Sequence, residues 1–208
     1  MDDKTARDLV NQAWQSVIGV APTLAERQAI QAVGRYEGSY GYGWHGITTR
    51  NWGAIQCGTH VHNDCVDGHC ISWLDHKPSG SEFHACYRVY DSDYDGALAL
   101  VQILHRMKVT DIMASGDSLA IATKMHQAGY YGGICPKGTL ENSPECIKAV
   151  REVYGGKIYN NAHLIANACG ESLAITPPQQ SGKIVPVVGG GLVLILAVFG
   201  TCMILRKR

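Results

Sequence analysis

Glu37 is the side chain whose type and position could do acid chemistry. A helical run buries Ala29, Ile30 and Val33 on one face, and the next position of that face, four residues on, is Glu37. A carboxyl projected toward an apolar interior is biased to its protonated form. A protonated carboxylic acid near neutral pH is what glycosidic bond cleavage needs, because the leaving sugar oxygen must receive a proton. The residues that follow, Gly38-Ser39-Tyr40-Gly41-Tyr42-Gly43, end the helix and leave the carboxyl at the mouth of an aromatic-lined loop. The competing reading is a glutamate in a frayed last turn, facing solvent.

Cysteine is the second chemistry-bearing residue type. Cys57, Cys65, Cys70, Cys86, Cys135, Cys146 and Cys169 precede a terminal apolar run that holds Cys202. On an oxidising side these read as disulfides. Cys135 with Cys146 is a natural pair, the four from Cys57 to Cys86 allow three connectivities, and the seventh stays free or pairs between chains. Zinc is the rival, because Cys57, His60, His62, Cys65, His69 and Cys70 crowd together. No C-x2-C pair occurs, however, and the spacing fits no common zinc module. No metal or other cofactor is therefore expected. A cysteine amidase built on Cys65 or Cys70 is disfavoured, since neither precedes a helical pattern that would lower a thiol pKa. Asp91-Ser92-Asp93-Tyr94-Asp95-Gly96 matches half of a calcium loop, but position twelve is Gln102 and not glutamate. Helix capping accounts for Ser92 and Asp95.

The elements that must position these groups are mostly helices. Ala6, Leu9, Val10, Ala13, Trp14 and Val17 form one amphipathic face. Thr23 with Glu26 is a capping box for the helix that carries Glu37. From Gly38 to Tyr90 the chain lacks helical period and reads as short strands and long loops. Ser92 caps a helix to about Arg106, Asp117 caps one to about Gln127, and Ser143-Pro144-Glu145 starts another with Ile147, Val150 and Tyr154 inward. The expected fold class is α+β, a helical lobe with a small, irregular, cysteine-containing β-rich insertion.

The chain has 208 residues, room for one domain and an appendage, and its 18 basic residues balance 18 acidic ones. No basic field invites nucleic acid. The domain is expected over residues 1–169, with a Pro-containing linker over 170–183. Ile184 to Leu205 carries no ionisable group but the Cys202 thiol, and about 22 helical residues reach about 33 Å, enough to span a bilayer core. This predicts a transmembrane helix over 184–205 and a basic tail, residues 206–208. The positive-inside rule then puts that tail in the cytoplasm and the domain on the cell-wall side of a single-pass membrane protein, or of a viral membrane. Ala197 and Thr201 have the spacing of a helix-pairing face.

Tyr36-Glu37-Gly38-Ser39-Tyr40-Gly41 followed by Asn51-Trp52-Gly53-Ala54-Ile55-Gln56 resembles bacterial glucosaminidases and lytic transglycosylases of the lysozyme superfamily. Phe83 to Ser92 is similar to the family's F-R-x-Y-x-S strand, and Ala128-Gly129-Tyr130 resembles its A-G-Y-A-T-D segment. Together these stretches cover roughly residues 25–155. The resemblance implies a lysozyme-like domain that cleaves the β-1,4 glycan strand of peptidoglycan. Glu37 would be the general acid and base, and Tyr130 the tyrosine at the cleaved bond, with Tyr131 as its alternate. Asn51, Trp52, Gln56, Tyr40 and Tyr131 would line the sugar cleft. The chain departs from the pattern at Gly38, where transglycosylases usually have serine, and at Gly-Ala-Ile-Gln in place of Gly-Leu-Met-Gln. A second carboxylate, where one acts, would come from Asp64, Asp67, Asp75 or Glu82. The alternative function is a non-catalytic peptidoglycan-binding or assembly module on the same fold.

Overall fold

The computed structural model describes residues 1–42, 48–57, 60–61, 64–65, 69–76, 82–131, 136 and 143–178. Helix α1 (Asp3–Ile18) starts where the Asp2 side chain accepts from the Thr5 amide at 2.8 Å, and it ends at Gly19, φ 90°. Its buried face is Ala6, Val10, Ala13 and Trp14. Helix α2 (Leu24–Gly38) opens with the expected capping box: the Thr23 amide donates to Glu26 Oε2 at 2.7 Å, and the Glu26 amide donates to Thr23 Oγ1.

This second helix is buried on more than one side, since Gln28 and Gln31 are sealed along with Ala29, Ile30, Ala32 and Val33. Each buried glutamine needs a partner. Gln28 bonds Ser172 and Ala174 of the C-terminal segment, while Gln31 donates to the Asp3 carbonyl and accepts from Arg27. Around α2 stand α3 (Asp93–Arg106), a short α4 (Thr110–Met113), α5 (Ser118–Gln127) and α6 (Pro144–Cys169). Helix α2 packs on α6, α5 on α6, and α1 on α3. One apolar core runs through them, with Ile30, Leu100, Leu104, Met113, Met125, Ile158 and Ile165 fully buried. At about 1.5–3 kcal/mol for each such side chain, this burial is the main favourable contribution to holding the lobe.

Between α2 and α3 lies the β-rich insertion. Strands β1 (His60–Val61) and β2 (Asp64–Cys65) pair antiparallel, as do β3 (Cys70–His76) and β4 (Glu82–Arg88), in a register from Cys70↔Arg88 to His76↔Glu82. The insertion is cross-linked: Cys57 and Cys70 form a disulfide with a Cα–Cα distance of 6.4 Å. Cys86 and Cys146 each take part in a disulfide as well. Cys169 is a free thiol. The α+β reading thus describes the domain, and the helix starts at Thr23, Ser92, Asp117 and Ser143 are where capping chemistry puts them.

Two expectations about the C-terminal part are corrected. Residue order places a linker after residue 169, yet the described part of that segment straps the lobe. Arg27 pairs with Glu171 at 2.8 Å, Ile175 is buried, and the Thr176 amide donates to the Gly116 carbonyl at 2.8 Å. Composition suggested a linker because Pro177 and Pro178 are adjacent, but Ile175 and the partners of Gln28 lie just before them.

The membrane reading is the second correction. Among the described residues no helix is long and apolar enough to cross a membrane. Residues 184–205 lie outside those described. The longest helix, α6, carries the charged residues Lys148, Glu152 and Lys157 outside the face it packs with Val150, Tyr154, Ile158 and Ile165, so it is built to lie on the lobe beside water. The transmembrane helix, and with it the single-pass placement, is withdrawn.

Candidate active site

Glu37 sits in the last turn of α2, half-buried, and the chain turns sharply behind it. Ser39 (φ 48°) and Tyr40 (φ 60°) are consecutive non-glycine residues in the left-handed region, an arrangement that costs energy and needs surrounding contacts to persist. Tyr40 supplies them. It is 3% exposed, its hydroxyl donates to Asp3 at 2.7 Å, and its ring lies 4.7 Å from that of Trp52. Asp3 also takes Arg35 at 2.5 Å, which ties the start of α1 to the end of α2. A concavity of about 430 Å³ over Asp3, Lys4, Arg35 and Tyr40 lies beside this clamp, and Glu37 is not among its lining residues.

On the other side of Glu37 four tyrosines converge. The Tyr154 hydroxyl, from α6, donates to Glu37 Oε1. Tyr131 stacks on Tyr154 at 3.9 Å and 9°, and Tyr36 meets Tyr154 edge-on at 5.2 Å. Tyr131 anchors itself by donating to the Ala122 carbonyl at 2.8 Å, and Tyr130 by donating to the Gly53 carbonyl at 2.9 Å. Burial pushes the Tyr154 and Tyr130 phenols well above their ordinary range, and the Glu37 charge pushes the same way. Tyr36 and Tyr131 are raised by burial too, with Glu37 a further cause in each. These phenols therefore stay protonated across neutral pH, and donate to, or sit neutral beside, the carboxyl. The arrangement, a carboxyl that accepts from the Tyr154 phenol in an aromatic wall, is suited to moving a proton at an adjacent oxygen.

The loop that faces this wall is held from within. Asn51 Nδ2 donates to the carbonyls of Ile55 (2.8 Å) and Arg88 (3.0 Å), and its Oδ1 accepts from the Ile55 amide (2.8 Å). Trp52 is fully buried. Gly53 has no room for a side chain, since a Cβ there would lie 2.7 Å from the Tyr130 hydroxyl oxygen. Gln56 pairs with Tyr87 of β4 as an isolated bridge, through Cys57 N to Cys86 O (2.7 Å) and Arg88 N to Ile55 O (3.0 Å). In that pattern the N–H and C=O of Gln56 point to the opposite edge, and its side chain is exposed.

Of the residues expected at the site, Glu37, Tyr130 and Tyr131 come together. Asn51, Trp52 and Tyr40 are corrected: their side chains are turned inward, where they pin the loop and the helix end, and they do not face a sugar. Only Gln56 of that stretch presents a free side chain. The Asn51–Gln56 stretch is a loop with a single bridge residue, not a strand, because Asn51 and Tyr130 take the backbone groups a ladder would use.

Among the second-carboxylate candidates, Asp67 and the side chains of Asp64 and Asp75 lie outside the described part, and Glu82 is exposed at the start of β4. The cysteine rivals are narrowed. Cys57 and Cys70 bond each other, so neither sulfur is open to zinc and Cys70 is no nucleophile. Among the described residues no group of three His, Cys, Asp or Glu could hold a metal. In the half-match to a calcium loop, Asp93 accepts from Tyr42 and Asp95 bonds Ser92, as capping requires.

Tyr154 is the functional residue that periodicity hid. It sits on the packed face of α6, where a tyrosine reads as core, although a buried phenol needs a partner for its hydroxyl. That requirement was the available signal. No protein-family model matches the chain, and neither a curated protein nor a solved structure matches it.

Proposed function

We propose that this protein is an enzyme that cleaves the β-1,4 glycan strand of peptidoglycan, with Glu37 as general acid and base. The observation that carries this reading is the half-buried Glu37 carboxyl at a helix end, held by the Tyr154 hydroxyl within a wall of tyrosines. Glu37 gives its proton to the leaving sugar oxygen and then accepts one from the attacking group. Tyr154 fixes the carboxyl's direction. Tyr130 places the Gly53 loop opposite, and the outward edge at Gln56 offers backbone groups to an extended ligand. The resemblance of the segments around Glu37, Gly53 and Tyr130 to glucosaminidases and transglycosylases supplies the substrate class.

The test is mass spectrometry of soluble fragments released from purified peptidoglycan by the full chain and by Glu37→Gln. The expected result is release by the wild type and a loss of at least about a hundredfold in the variant, the scale of a general acid's contribution. Anhydro ends would identify a transglycosylase and reducing ends a hydrolase. Full activity in Glu37→Gln would overturn the assignment. A binding module on the same fold is the second reading, favoured by the inward turn of Asn51, Trp52 and Tyr40. Binding without fragments from either protein would select it.

A further inference from the structure

Among the described residues, Arg151 forms no ion pair. It projects from α6 three residues before Tyr154, so the two stand about one turn apart on neighbouring positions of the same face. Its Nη2 meets Nδ1 of His126 at 3.4 Å, while its Nε is sealed from solvent with no hydrogen-bond partner. His126 offers no negative charge. Its ring lies edge-on to Tyr131 at 5.5 Å, and burial, then Arg151 itself, holds its pKa below the ordinary value, so it is neutral at neutral pH. One turn away in either direction α6 offers no spare acid. Glu152 is engaged with Lys148 at 3.8 Å, and Lys148 adds a second cation.

A half-buried guanidinium without an anion is costly unless a ligand supplies one. Its planar fork of donors matches a carboxylate. The wall it belongs to is continuous: Arg151, His126, Tyr131, Tyr154 and Glu37 each touch the next or share a helix face. A ligand cut at Glu37 would thus carry its nearest carboxylate past Arg151. Peptidoglycan glycan bears short acidic peptide stems on the lactyl groups of its muramic acid, and while a stem is attached the lactyl carboxyl is tied up as an amide, so the free carboxylates are those of the stem.

We propose that Arg151, braced by His126, is a recognition subsite for a carboxylate of the peptide stems, and that it directs the enzyme to glycan that still carries them. This rests on the peptidoglycan reading above. It names Arg151 as a specificity-determining residue, separate from the acid chemistry of Glu37.

The experiment compares two polymers: peptidoglycan strands with their stems, and the same strands stripped of stems by an amidase, with the lactyl carboxylates that this frees then capped as methylamides. The full chain, Arg151→Gln, Arg151→Lys and Lys148→Gln are assayed on both for kcat and KM, and by co-sedimentation for binding. The expected result is a KM rise of about tenfold for Arg151→Gln on stem-bearing strands with no change on stripped ones, the scale of one charge-assisted contact. Arg151→Lys should recover part of it, and Lys148→Gln should leave the preference intact. An equal change on both polymers, or none on either, would overturn the proposal. If the wild type cuts neither polymer, the enzymatic reading fails, and co-sedimentation then decides. Tighter binding to stem-bearing strands that Arg151→Gln removes would support the subsite, and equal binding to both would refute it.

Discussion

In the helical lobe, side chains from α1, α2, α3, α5 and α6 are fully buried in one shared core, and among the described residues that core includes none of β3 or β4. From Cys57 to Arg88 in the insertion, the described buried residues are Cys57, Ala85, Cys86 and Tyr87, and three cysteines of that stretch, Cys57, Cys70 and Cys86, are in disulfides. One region is ordered by removing apolar surface from water. The other has little surface to remove and is ordered by crosslinks and a backbone ladder. The division bears on the site, because Glu37, Tyr130, Tyr131, Tyr154 and Arg151 all belong to the lobe, whereas Gln56 is held by β4. The proposed acid chemistry is thus mounted on the packed region, and the proposed ligand edge on the crosslinked one.

The comparison can be broken most forcefully in the lobe. Ile30→Ala should cost about 3 kcal/mol and lower the unfolding midpoint of the whole helical signal, because it opens a cavity in the shared core. A mild local effect, seen by urea titration followed by circular dichroism, would show that the core is not one unit. Next in size, Cys57→Ser releases a crosslink spanning 13 residues. It should destabilise the insertion by up to about 3 kcal/mol while the helical transition stays nearly in place. Hydrogen exchange in β3 and β4 reads this directly, and a matching fall of the helical midpoint would erase the distinction between the regions.

A smaller effect sharpens the site itself. Tyr154→Phe keeps the ring stack with Tyr131 but removes the donor to Glu37, so kcat should fall about tenfold with little change in melting temperature. An unchanged kcat would mean that the phenol only fills space.

The smallest effect is on pH dependence. Phenols raised above 10 in the fold, Tyr130 and Tyr154 foremost, bind their protons more tightly folded than unfolded. Their contribution is present below about pH 10 and is lost as pH rises through the folded values. The lobe should therefore soften at alkaline pH, and Tyr154→Phe should lessen that softening. His126, lowered from 6.5, works in the opposite sense: its contribution is present above about pH 6.5 and fades as pH falls through the folded value. Thermal melts across pH would show both limbs.

The helices were legible in residue order because their signals are local. Thr23 and Glu26 satisfy each other three residues apart, and Ser92, Asp117 and Ser143 each cap the helix that begins beside them. Glu37 was legible because period 3.6 carries an apolar face forward to it. The strap at Glu171 to Thr176 was not, since Gln28 and Gly116, which hold it, are far away along the chain. Nor could residue order separate the roles of Asn51, Trp52 and Tyr40 from that of Gln56. Aromatic and amide side chains suit a sugar cleft and a loop pin equally well, and only the direction of each side chain decides between them.

By itself, then, the sequence determined which stretches are helical, that a cysteine-rich insertion interrupts them, and that a carboxyl stands at the end of α2. Capping, periodicity and residue type act over a few positions. Tertiary structure alone decided that Tyr154 meets Glu37, that Cys57 bonds Cys70, and that Arg151 meets His126. Each of these is a contact between distant parts of the chain, made when the lobe buries its apolar faces and brings α2, α5 and α6 side by side.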